Sequence, residues 1–241
     1  MNFDLKTLDL RTGAAEKCDQ LVVLVGEDFA PGSDPLARLI AQALKSKDFE
    51  TKPGKSLALY QAPGIAARRL LLVGAGSGDA RAVRQALAAI APAFRTAGAK
   101  RAVVCFAGGV TAPAVSAVVQ GVAQARYVYT LTKPKAEASE LTRVVIGVPE
   151  PKAVAQAFET SQAVALGVEL AREWGNRPAN HATPSMLADA ARALAKHPRI
   201  QCKVTGPADV ERLGMGAFLA VARGSAEPLR FIELRYNGAA R

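Results

Sequence analysis

Six short apolar runs, separated by stretches with helical periodicity, limit this chain to an α/β architecture. They are Asn2–Leu8, Gln20–Val25, Ser56–Gln61, Arg69–Gly74, Ala102–Phe106 and Val144–Val148. Several are almost unbroken, as strands covered on both faces must be, because neither side of the pleat meets water. Between them, Asp34–Lys45 places Leu36, Leu39, Ile40 and Ala43 on one helical face. Residues 80–97 do the same with Val83, Leu87, Ile90 and Phe94, behind the potential caps Ser77 and Asp79 and ahead of Gly98. Pro92 falls inside that pattern and predicts a kink or an earlier end. A further helix is expected over 113–129. Strands and helices in this alternation predict a sandwich around a mostly parallel or mixed sheet.

The polar stretch Leu131–Arg143 reads as a surface loop. Beyond it, Pro149 and Pro151 open a long helical pattern through Val154, Phe158, Ala165, Val168 and Trp174. Its length suits a helix joining two domains, which divides the chain into 1–160 and 161–241. In the second part, Thr183–Pro184 is a helix start with a hydroxyl cap and proline in the first turn. Ile200–Thr205, Ala217–Val221 and Arg230–Tyr236 read as strands, and Ala208–Leu213 as a short helix closed by Gly214.

Charge is uneven. The net formal charge is +10, and Ala80–Ala136 holds no Asp or Glu but eight Lys and Arg residues. Such a field attracts polyanions, so duplex DNA is a candidate partner through Arg81, Arg84, Lys100 and Arg101. Solvated helix faces are the plainer alternative. No apolar run approaches the roughly 20 residues that span a bilayer, and no signal-peptide core is present, so a cytoplasmic protein without membrane partners is expected. Three dispersed cysteines, Cys18, Cys105 and Cys202, argue against a disulfide framework.

The glycine cluster Gly74-Ala75-Gly76-Ser77-Gly78-Asp79 begins like a dinucleotide fingerprint, but Asp79 stands where the third glycine belongs. A tight turn feeding a helix is the simpler reading, with an ADP-ribose or nucleotide pocket at 74–79 as the rival. His181 and His197, the only histidines, have no partner at metal-ligand spacing. Residues 161–241 hold seven dispersed acids (Glu169, Glu173, Asp189, Asp209, Glu211, Glu227, Glu233). Two cations about 4 Å apart need several carboxylates converging on one point. The residues alone therefore predict no catalytic centre.

Several segments carry a family resemblance: KPGKSLALY (Lys52–Tyr60), RRLLLVGAG (Arg68–Gly76), NRPANHATP (Asn176–Pro184), GMGAFLAVARGS (Gly214–Ser225) and the strand ending Tyr236-Asn237-Gly238. In this order and spacing the chain resembles the leucyl aminopeptidase family. The resemblance implies a macro-domain-like N-terminal sandwich followed by the incomplete start of a second α/β, metallo-exopeptidase domain. It implies release of N-terminal amino acids, often leucine, from peptides, with two divalent cations (Mn, Zn or Mg) and a homo-hexamer. The family's metal-binding and catalytic residues lie in motifs of the type VGKGxTFDSGG and NTDAEGR, which do not occur here. No catalytic residue and no metal ligand can be carried over, so the 241-residue chain alone is expected to be inactive. Some bacterial relatives also bind DNA, which the acid-free stretch makes worth testing.

Overall fold

The computed structural model describes residues 1–238. Six strands, β1 (Asn2–Thr7), β2 (Gln20–Gly26), β3 (Ser56–Tyr60), β4 (Arg69–Gly76), β5 (Arg101–Ala107) and β6 (Arg143–Val148), form one sheet in the order β1-β6-β5-β2-β4-β3. All neighbours pair in parallel except β3, which runs antiparallel to β4 at the edge. The sheet is mixed and mostly parallel, as the six apolar runs predict. The central strand β2 is buried along its whole length.

Helices cover both faces. The helices α1 (Leu10–Ala14) and α2 (Pro35–Lys45) lie over Leu21, Val23, Val25, Leu70 and Leu72. The helices α3 (Ala80–Ala89), α4 (Ala112–Arg126) and the first part of α5 (Pro151–Asn176) lie over Val22, Leu24, Val73, Val104 and Ile146. Strand alternation sorts these side chains onto opposite faces. Full burial of leucines such as Leu21, Leu24 and Leu72 contributes about 1.5–3 kcal/mol each, and this drives the layering.

Side-chain caps fix where the helices begin. Asp34 accepts from Ala37 N, Thr111 from Ala114 N and Thr183 from Met186 N. The short α1 escapes sequence periodicity, but a reciprocal box marks it: Asp9 Oδ1 accepts from Thr12 N at 2.7 Å and Thr12 Oγ1 from Asp9 N at 2.9 Å. Pro92 ends α3 early, and the chain continues as a 3-10 turn over Ala91–Arg95.

The chain forms two compact units, Met1–Arg172 and Glu173 onward, and α5 runs unbroken through the point of division. In the second unit β7 (Ile200–Thr205) and β8 (Phe231–Tyr236) pair antiparallel, accompanied by α6 (Pro184–Leu194), α7 (Pro207–Arg212) and α8 (Gly216–Ala222). The helix α8 corrects one expectation. Ala217–Val221 is helical rather than extended, with Leu219 N bonded to Met215 O at 3.0 Å. A five-residue apolar run has no periodicity that separates a strand from a buried helical turn, and its alanines favour the helix.

Candidate functional site

The glycine turn after β4 is built by backbone contact. Gly74 N donates to Lys55 O at 2.9 Å and Gly76 N to Thr51 O at 2.8 Å. A Cβ on Gly74 would stand 2.3 Å from Lys52 O, so a side chain at this position has no room. The N-terminus of α3 is already served by Asp79, whose Oδ1 accepts from Arg81 N and Ala82 N at 2.8 Å each. Those N–H donors, Ala82 first, together with the Ser77 hydroxyl, hold the Asp79 carboxyl below its usual range. A carboxylate thus occupies the helix end where a phosphate would bind.

Asp28 plays a similar part at the end of β2. The connections of β2 and its neighbour β5 leave in opposite directions across the sheet, which makes the gap between their ends the topological switch point. The Asp28 carboxylate enters that gap, accepting from Gly109 N at 2.8 Å and lying against Gly108. Sequence reasoning passes over Asp28 because a lone acid in a loop carries no motif.

The four candidate basic residues form two separate pairs. Arg81 and Arg84 share the exposed side of α3, which starts at the C-terminal edge of the sheet. Lys100 precedes β5 and Arg101 opens it at the opposite edge, and α3 alone spans about 15 Å between the two. Arg101 is also engaged. Its guanidinium pairs with Glu16 at 2.8 Å and donates to Lys17 O, while Glu16 in turn pairs with Lys6. Lys6 and then Arg101 lower the Glu16 carboxyl. Arg84 instead lines a groove of about 610 Å³ beside α4 and α5, which Gln120, Gln124 and Arg172 share. There Arg172 stacks on Tyr127, 4.2 Å from the ring centroid.

Among the described residues, no group of three or more His, Cys, Asp or Glu could hold a metal ion. Several acids of the second part sit in local pairs: Glu173 with Arg177, Asp189 with Arg192 and Asp209 with Arg212. Glu169 faces Arg126 at 3.9 Å. His197 Nδ1 accepts from Arg199 N, and His181 ends a 3-10 turn. No helix of the described residues is long and apolar enough to cross a membrane.

Comparison with known proteins places these features in a family. The N-terminal domain profile of the cytosol aminopeptidase family matches residues 21–136, and the catalytic domain profile of the same family matches residues 169–241. A probable cytosol aminopeptidase of Verminephrobacter eiseniae is 60% identical over all of this chain, which covers 46% of that protein. One from Acidovorax sp. is 57% identical over all of this chain, which covers 49% of it. The chain thus spans about half the length of these curated relatives. Among solved structures, a mutant of tomato leucine aminopeptidase superposes on 100% of this chain and 52% of its own, with TM-score 0.82 and 26% identity. The bottromycin maturation enzyme BotP, solved in complex with Mn, covers 90% of this chain and 45% of its own, with TM-score 0.66 and 30% identity.

Proposed function

The chain belongs to the cytosol aminopeptidase family, and we propose that it supplies the N-terminal domain and the opening of the catalytic domain of a cytoplasmic leucyl aminopeptidase. The observation that carries this reading is that both domains of one family match in order along the chain. The complete enzyme releases N-terminal amino acids, leucine among them, from peptides and works as a homo-hexamer. Two divalent cations bound elsewhere in the complete enzyme would supply Lewis-acid activation of water. The side chains of residues 1–238 do not fit such a pair, because no three acids, histidines or cysteines among them come together, and Glu169, Glu173, Asp189 and Asp209 each face a neighbouring arginine. The hydrolytic chemistry accordingly belongs to side chains other than these, and the 241-residue chain by itself is inactive.

Two preparations test this reading. The purified chain, assayed on leucine p-nitroanilide with Mn, Zn or Mg, is expected to show no turnover. Fused to the remaining half of the Verminephrobacter relative, it is expected to give turnover that a chelator abolishes. Chelator-sensitive activity from the chain alone would overturn the proposed inactivity. A folded fusion without peptidase activity would overturn the aminopeptidase reading.

A second reading, DNA binding, rests on Arg81 and Arg84, which project from one helix in a segment free of acids. Phosphate contacts of this kind predict affinity that falls steeply with salt and depends little on sequence. Charge reversal at both arginines is expected to weaken duplex binding, and unchanged affinity would remove the reading. Arg101 is unsuited to that test, because reversing it also breaks its contact with Glu16.

A further inference from the structure

Register places three polar side chains in a row at the N-terminal edge of the sheet. Gln20 of β2 is the partner of Arg69 in β4, and Arg69 is the partner of Tyr60 in β3. Val22 and Leu24, two and four residues on from Gln20, belong to the core beneath α3 and α4, as do Leu71 and Val73 beyond Arg69. Alternation therefore turns Gln20 and Arg69 toward that same face. Where the strands begin, polar groups take the place of the apolar core. They line a cavity of about 340 Å³, shared with Arg68 and the 96–99 turn.

Gln20 is 2% exposed, yet its Nε2 has no hydrogen-bond partner, and the buried Nε of Arg69 has none either. Buried donors of this kind are rarely left unanswered, because desolvation without a hydrogen bond costs stability. The remaining contacts of the cavity wall fix these groups without answering them. Arg69 Nη1 donates to Thr96 Oγ1 at 3.2 Å, and the guanidinium lies 5.4 Å from the centre of the Tyr60 ring. Asp19, the one acid in the wall, accepts from Lys100 N and Arg101 N at 2.9 Å each and faces Arg68 at 3.6 Å. It is turned to the backbone of β5 and does not answer Gln20 or Arg69.

Two unanswered N–H donors beside the exposed guanidinium of Arg68 suit a group that only accepts hydrogen bonds and carries negative charge. We infer that this cavity binds the oxyanion of a small molecule, a phosphate or a carboxylate. Gln20 Nε2 and Arg69 Nε donate to it, and Arg68 supplies charge from the rim. Tyr60, 70% exposed, offers the rest of such a ligand a flat apolar wall. The inference is independent of the peptidase reading, because every residue it uses lies in Met1–Arg172.

The test is nuclear magnetic resonance on the ¹⁵N-labelled 241-residue chain, titrated with sodium phosphate, with sodium acetate and, as an ionic-strength control, with sodium chloride. The Gln20 side-chain amide and the Arg69 Nε–H are expected to shift saturably at millimolar phosphate or acetate and not with chloride. The tighter of the two anions identifies the ligand group. Gln20→Leu, which keeps the volume and removes the donor, is expected to abolish saturation. Arg68→Ala is expected to weaken binding roughly tenfold, the scale of one charge-assisted hydrogen bond. Should Gln20→Leu fail to fold, the two wild-type resonances and the exposed Arg68→Ala variant still decide. Resonances that stay still with both anions, that follow chloride equally, or that saturate unchanged in Gln20→Leu would overturn the site.

Discussion

Asp19 shows how one side chain can fix the start of a strand. Its Oδ2 takes the backbone N–H groups of Lys100 and Arg101, tying the segment before β2 to the first residue of β5. The Arg101 N–H, then that of Lys100, then Arg68 hold the carboxyl below its ordinary 3.8, against the opposing effect of burial. A depressed folded value means that the charge stabilises the fold above the unfolded pKa. That stability is lost as pH falls through the folded pKa. Asp19→Ala is expected to cost about 1–3 kcal/mol at neutral pH, because it strands two backbone donors. In urea titrations of both proteins, the difference should narrow below pH 3.8, and a pH-independent difference would contradict this account. The thiols give a second residue-scale prediction. Burial pushes Cys105 up to about 12 and Cys18 to about 11, whereas Cys202 in β7 is partly exposed. Ellman's reagent should therefore titrate one thiol quickly in the folded chain and all three only after denaturation.

Among the elements, long apolar strands and capped helices were legible in the sequence because their signals are local. Thr183–Pro184 opens α6 as its chemistry predicts, and the six apolar runs all become strands of one sheet. What was not legible depends on partners distant in the chain. Ala217–Val221 has no local mark that separates helix from strand, and Gln20 reads as an ordinary strand start until register sets it beside Arg69. The glycine turn at 74–79 resembles a phosphate loop in sequence, while its geometry is that of backbone packed on backbone. Gly74→Ala separates the two roles. With a Cβ at 2.3 Å from the Lys52 carbonyl, the backbone must shift, and a loss of more than about 2 kcal/mol is expected by chemical denaturation. A glycine kept for phosphate approach would instead tolerate alanine in the ligand-free chain, with little change in stability.

Across the whole molecule, stability is concentrated in the first unit. Both apolar clusters lie entirely within Met1–Arg172, with β2, β4 and β5 at their centre. In the second unit, the buried apolar side chains among the described residues are Ala188, Ala191 and Val210, all small. Leu187, Leu194, Leu213 and Val221 are exposed, and Ile200, Val204, Phe231 and Ile232 are only partly buried. Three small side chains bury too little area to offset the conformational entropy of ordering some sixty residues, so this unit opens at low cost. Hydrogen exchange should divide the chain accordingly. Amides of β2, β4 and β5 are expected to exchange only through global unfolding, and those of α6, β7 and β8 at least a hundredfold faster. The same difference predicts that a protease at low concentration cuts after Glu173 and leaves a folded fragment close to Met1–Arg172. Equal protection in both units, or cleavage that destroys the first unit as quickly as the second, would show that the small unit draws its stability from contacts beyond its own three buried side chains.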